Sequence, residues 1–227
     1  MSASPIILAL ETSQRGGGVA LSDAAGTHHV ESLLAERRHD DDLLPAIDRL
    51  LDRTTVDRHA FEAIALSIGP GGFTGLRIAV STVKMMAYAL GCPVIAVPSA
   101  IVVAEGSIDP ETPIGARALV PLASKRGSVW MTTLEREPDR WRIIEEGLRE
   151  VDAVDVPADT IVVADAHQPD ALRMGAIEAR YDAAACLREA LRRFSDGETD
   201  DPLTLTPMYP REPEAVSLWN ARRRSDH

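Results

Sequence analysis

Cysteine is nearly missing from the 227-residue sequence: only Cys92 and Cys186 occur. They lie far apart and form no CxxC pair, which fits free thiols in a reducing compartment rather than a disulfide framework. Basic residues are also short, with 24 Lys and Arg against 35 Asp and Glu and a formal net charge of −11. No basic run interleaved with aromatics appears. A chain that held nucleic acid by itself would need a Lys/Arg face to neutralise phosphates and release counterions, so direct gripping of RNA is not expected. Long apolar runs are absent too. Residues 6–10 are aliphatic but end at Glu11, and no positive segment precedes them, so neither a signal peptide nor a membrane span is expected and the reading places the chain in the cytoplasm.

Catalytic signatures are missing as well. There is no HExxH, no G-x-S-x-G elbow and no Cys close to a His in sequence. His28, His29, His59, His167 and His227 show no ligand spacing. His39 is followed four residues later by apolar Leu43, so no pair of imidazoles shares one helix face there. The sequence therefore assigns no catalytic residue and no metal ligand.

What is present is an ordinary globular composition, 45% hydrophobic and 26% charged, long enough for one large domain or two small ones. Residues 6–10, 19–22 and 27–34 read as an antiparallel meander separated by glycine turns. A helix is expected to start near Leu43, with Pro45 in its first turn and Asp40, Asp41 and Asp42 in solvent at its positive end. Residues 63–68, 76–90 and 94–97 read as strand, helix and strand, a right-handed crossover, with Gly91 at the helix C-cap and Pro93 beyond it. Residues 106–115 read as a linker, 118–122 and 128–134 as a hairpin, 160–164 as a buried strand and 183–194 as a helix. Residues 195–213 read as loop and 214–224 as a last helix. No internal repeat shows by period.

The stretch Gly69-Pro70-Gly71-Gly72-Phe73-Thr74-Gly75-Leu76-Arg77 joins a strand to a helix, where converging amides could hold a phosphate. The specific versions fail. A Walker A loop needs Gly-Lys-Ser/Thr where Gly75-Leu76-Arg77 stands, and a dinucleotide fingerprint needs glycine in place of Thr74 and an acid about 20 residues on. The alternative is a tight turn in which glycine supplies backbone freedom and Thr74 caps the helix. On the helix that follows, Ile78, Met85, Met86 and Tyr88 leave apolar groups outside the core face. Such excess surface marks either a partner interface or a cover from the same chain.

The spelling of this stretch, through Ile78, resembles the GPGSFTGLRIG signature of the TsaB (YeaZ) family, with Gly72 for the usual Ser. Leu8-Ala9-Leu10-Glu11-Thr12-Ser13 is similar to that family's opening L-A-I-D-T-S strand. Arg38-His39, Leu43-Leu44-Pro45, Pro98-Ser99 and Pro207-Met208-Tyr209-Pro210-Arg211 follow in the family's order. The match is strong over residues 6–100 and thin over 105–205. The resemblance implies an α/β chain with the actin-like ATPase (ribonuclease H-like) fold, in two lobes each with a mixed sheet flanked by helices. The lobes would span 1–104, completed by a C-terminal helix within 208–227, and 105–207. It further implies a non-catalytic subunit for synthesis of threonylcarbamoyladenosine in tRNA, supporting the catalytic relative TsaD, with TsaE as third partner and a homodimer in isolation. ATP and a metal are expected on TsaD, no cofactor on this chain, and tRNA contact only through the complex.

The expected partner interface is Gly71, Gly72, Thr74, Gly75, Arg77, Ile78, Met85 and Met86, the glycines letting a partner backbone approach. Glu11, Thr12 and Ser13 stand where actin-like ATPases hold Mg-nucleotide and form a possible vestigial site. The alternative for Glu11 is a carboxylate bonded to turn amides. In the second lobe the family often shows D-A-R-x-x-E, and the matching residues 123–128 lack both acids, at Ala123 and Ser128. A stand-alone ATPase or small-molecule kinase is therefore the second reading, and a metallopeptidase the third.

Overall fold

The sequence opens with strands that have no polar alternation, and the reason is visible in the sheet they build. The computed structural model describes residues 3–14, 16–34, 39–211 and 219. Strands β1 (Ile7–Glu11), β2 (Gly18–Ser22), β3 (His28–Ser32), β4 (Ala63–Ser67) and β5 (Val94–Val97) form one sheet in the order β3-β2-β1-β4-β5. The first three run antiparallel, and β1, β4 and β5 run parallel. Every residue of β1, β2 and β4 is buried because both faces are covered, whereas edge strand β3 alternates.

Helices α1 (His39–Thr54) and α2 (Phe73–Leu90) cover the outer face, where Leu8, Leu10, Leu21, Ile64 and Leu66 meet them. As expected, α2 stops at Gly91, which takes φ 68° and returns its N–H to Ala87 O. Two local expectations fail. Helix α1 begins before Leu43, so Pro45 lies inside it rather than in its first turn. Asp42 is buried rather than solvated: it accepts the Leu34 N–H at 2.7 Å and both guanidinium nitrogens of Arg49 at 3.0 and 3.2 Å. This carboxylate ties α1 to the end of β3.

Helix α3 (Ser99–Ser107) follows β5, where no element and then a linker were expected; it runs through residue 104, the expected lobe boundary. The second sheet comprises β6 (Arg117–Lys125), β7 (Ser128–Arg136), β8 (Trp141–Glu150), β9 (Thr160–Ala164) and β10 (Ile177–Glu178), in the order β10-β9-β6-β7-β8. The expected hairpin is β6–β7, extended by the unforeseen β8. Between strands lie only a 3-10 turn (Val151–Ala153) and α4 (Asp170–Arg173), and α5 (Ala183–Ser195) follows the sheet in the chain.

The two sheets share one core with α3 and α5 layered between them. Its sheet-one side is rich in alanine (Ala9, Ala20, Ala63, Ala65), and α5 answers with Ala183, Cys186 and Ala190. Small residues on both sides allow close approach of helix to sheet. The expectation that 183–194 belongs to the second lobe is corrected here: α5 packs on β1, β2, β4 and β5 of the first sheet, while α3 packs on β6, β8 and β9 of the second. The expected C-terminal helix at 214–224 lies outside the described residues, apart from Trp219.

Candidate functional site

Two sequence features meet at the C-terminal end of β1: the glycine loop and Glu11-Thr12-Ser13. All three of the latter are buried, Glu11 and Ser13 at 0% exposure and Thr12 at 1%. Glu11 Oε1 accepts the Ser13 N–H at 2.6 Å, so the carboxylate does bond a turn amide. Among the described residues its Oε2 and the Ser13 hydroxyl meet no hydrogen-bond partner. Burial pushes the Glu11 carboxyl up from its ordinary value, against the lowering effect of the nearby Ser13 and Ser67. Thr12 Oγ1 donates to Gly75 O at 2.9 Å and the Gly72 N–H donates to Ser13 O at 2.6 Å, so these residues hold the glycine loop.

That contact explains Gly71. A Cβ there would lie 2.4 Å from Ser13 O and 2.7 Å from Ser13 Cβ. At this position glycine is demanded by the chain's own Ser13. Gly75 is buried on α2's inner side. Gly72, not Thr74, is the N-cap of α2, with φ −65° and no side-chain cap bond, so the capping expectation for Thr74 is corrected. A Cβ on Gly72 would meet only Ser13 O at 3.4 Å, so this position has no steric need for glycine.

The outer face of α2 sorts the remaining expectations. Met85 is 74% and Tyr88 82% exposed, and Thr74 and Arg77 are exposed with them. Ile78 and Met86 are instead half-buried and pack on the chain's own core, which removes much of their surface from any partner. Sequence reading missed an aromatic cluster at the head of this row. Phe73, 55% exposed, carries the Arg77 guanidinium 4.7 Å above its ring and the Tyr209 ring 5.1 Å away. The Tyr209 segment is held by Lys84 Nζ to Leu203 O and Leu205 O (3.1 and 3.2 Å) and by the Met208 N–H to Ile68 O at 2.8 Å. No local signal pairs Phe73 with a residue so distant in sequence.

In the second lobe the sequence reading also missed Asp165, just past β9. It is 7% exposed and accepts the Tyr181 hydroxyl at 2.6 Å and the His167 N–H at 2.8 Å. The hydrophobic run 160–164 ending in an acid was the available signal. At the hairpin lacking acids, Arg211 takes their place in the contacts. Its guanidinium donates to Ala123 O (2.5 Å), Ser128 O (2.7 Å) and Ser128 Oγ (2.9 Å). Backbone carbonyls there receive a cation without a carboxylate. Among the described residues, no group of three or more His, Cys, Asp or Glu is arranged to hold a metal ion.

A family model described as "TsaD: tRNA N6-adenosine threonylcarbamoyltransferase" matches residues 29–149, just over half of the chain. The chain is 31% identical over 103 residues to the Haemophilus influenzae "tRNA threonylcarbamoyladenosine biosynthesis protein TsaB", covering 45% of this chain and 43% of that one. The Escherichia coli protein of the same name is 28% identical over 132 residues, 58% of this chain and 55% of its own. The chain belongs to this family, in its TsaB (YeaZ) branch.

The chain spans about half the length of the curated TsaB relatives it matches. A Pseudomonas aeruginosa crystal structure described as an uncharacterized protein with similarity to peptidase YEAZ superposes with a TM-score of 0.78. It is 26% identical and covers 91% of this chain and 100% of its own. A second structure, "YeaZ from Pseudomonas aeruginosa", gives 0.74 at 24% identity over 90% and 99%, and speaks for the fold alone. The two mixed sheets and their helices are thus the two-lobed α/β fold of the actin-like, ribonuclease H-like class. No helix among the described residues is long and apolar enough to cross a membrane.

Proposed function

We infer that the protein is a non-catalytic subunit for synthesis of N6-threonylcarbamoyladenosine in tRNA, working in the cytoplasm by supporting TsaD through the outer face of α2. The observation that carries this reading is the exposed row Phe73, Thr74, Arg77, Met85 and Tyr88, headed by the Phe73–Tyr209 pair. Aromatics, Met and Arg are the residue types enriched where proteins meet, and a rigid helix presents them at fixed spacing. The burial of Glu11, Thr12 and Ser13 under the glycine loop supports a structural rather than nucleotide-handling role for them. ATP and a metal then belong to TsaD, and tRNA reaches this acidic chain only through the complex. TsaE joins as third partner, and the same α2 face closes a homodimer when TsaD is absent.

The test is reconstitution of threonylcarbamoyl transfer to tRNA with the cognate TsaC, TsaD and TsaE, scored by mass spectrometry of the modified nucleoside. Modification is expected to require this chain and to fall at least about tenfold with Met85→Glu, which buries a charge at a contact. Met85 is exposed, so the variant leaves the fold intact. Equal modification without the chain would sink the reading and move the stand-alone ATPase to the front.

A further inference from the structure

The Pro207–Arg211 stretch singled out in the sequence is the end of a strap that touches both lobes. After α5 the chain returns to the edge of β5, where Asp200 and Val94 exchange backbone hydrogen bonds at 2.7 and 3.3 Å. The Asp200 carboxylate also accepts the Ala96 N–H at 2.8 Å. Leu205 is buried in the outer core of the first lobe, and Lys84 holds the carbonyls on either side of Thr204. The strap then crosses the start of the glycine loop so closely that a Cβ on Gly69 would lie 2.7 Å from Met208 O. Tyr209 lies on Phe73, and two residues further on Arg211 reaches the β6–β7 hairpin of the second lobe.

The hairpin offers Arg211 a socket made of its own backbone. Its register breaks between Leu122 and Lys125, and Ala123 inside the break takes φ 50°, a left-handed conformation uncommon outside glycine. Backbone in such a region persists where its surroundings fix it. The Ala123 carbonyl accepts one guanidinium nitrogen, while Ser128 O and Oγ accept the other. A planar fork spans these acceptors, whereas a lysine ammonium is a single point of charge and does not. One short segment therefore carries an aromatic ring of the α2 face and, two residues away, the anchor of the second lobe.

We propose that the strap, residues 200–211, couples the second lobe to the α2 face: Arg211, seated in the hairpin, positions Tyr209 on Phe73. The partner in this coupling rests on the reading of α2 as the face that meets TsaD; the coupling itself rests on the strap's contacts. A partner that binds Tyr209 in place steadies the Arg211 socket, and an occupied socket raises the partner's affinity by the same factor. Arg211 is a positioning residue here, acting through Tyr209.

Two measurements on the full chain test this. In hydrogen exchange read by mass spectrometry, Phe73→Ala is expected to speed exchange of the hairpin, residues 122–130, at least about threefold, and Arg211→Ala to do the same for residues 203–209. In binding to cognate TsaD, Arg211→Ala should lower affinity about tenfold and Arg211→Lys nearly as much, because the fork is lost. In a chain already carrying Tyr209→Ala, Arg211→Ala should add less than about twofold. Unchanged hairpin exchange in Phe73→Ala, unchanged affinity in Arg211→Ala, or fully additive losses in the double variant would each overturn the coupling. If TsaD fails to bind the unmodified chain, the proposed partner is wrong and the exchange measurement alone decides the coupling. If Arg211→Ala loses its native circular dichroism, hairpin exchange in Phe73→Ala decides, since Phe73 is half exposed and its loss leaves the core intact.

Discussion

The two lobes are the same sheet built twice. Read outward from the antiparallel meander, the first runs β3-β2-β1-β4-β5 and the second β8-β7-β6-β9-β10, with the same parallel and antiparallel pairings. They differ in what crosses between strands. The first lobe uses the 16-residue α1 and the 18-residue α2, and the second a three-residue 3-10 turn and the four-residue α4. The outer face of the first sheet therefore meets a deep apolar layer, while that of the second has a small cluster around Leu119, Val129, Met131 and Leu172. A shared topology does not require shared thickness. The thick lobe can present a rigid helix to a partner, and the thin one serves mainly through the inner face it contributes to the common core.

The largest break in that comparison should come from the cores. Leu66→Ala, fully buried beneath the α1/α2 layer, is expected to cost about 3 kcal/mol in urea unfolding. Leu172→Ala, under the thin cover of the second sheet, should cost about 2 kcal/mol or less, because the short α4 can settle into the space. Equal losses would mean that the second sheet's outer layer is as firmly packed as the first. The glycines sharpen the contrast next. Gly71→Ala forces a methyl against Ser13 backbone and should lower stability by about 2 kcal/mol. Gly175→Ala in the second lobe meets nothing within 4 Å but sits at φ +74°, so only its backbone strain, about 1 kcal/mol, is lost. The smallest effect is a gain: Gly72→Ser supplies the missing N-cap hydroxyl of α2 and should raise the denaturation midpoint by about 0.5 kcal/mol equivalent.

Those differences also mark what was legible in the sequence. The continuous apolar runs of β1 and β4 and the Gly91-Cys92-Pro93 stop of α2 announced the first lobe, because local pattern and tertiary burial agree there. The second lobe was thinner to read for a physical reason. Its long edge strand β8 mixes Trp141, Ile143 and Leu148 with charges facing solvent, so no clean alternation survives. Helix α3 is buried along nearly its whole surface, so its sequence lacks the polar face by which a helix is recognised. At the site, the glycine loop was visible, but what it touches was not. Gly71 against Ser13, Thr12 against Gly75 and Arg211 in the carbonyls of residues 123–128 are all long-range pairings. Asp42 misled for the same reason, since its arginine partner lies on the same helix but it also takes the Leu34 N–H, just past β3.

The exchange of α3 and α5 has a consequence for how the chain comes into being. A ribosome delivers residues in order, and the first sheet is complete once β5 has emerged. Its alanine-lined inner face nonetheless stays uncovered until residue 195 appears, because α5, the helix that closes it, follows the whole second sheet in the chain. The nascent first lobe must wait, half-dressed, through the synthesis of the entire second one. The order of translation makes α5 the stitch that joins the two lobes.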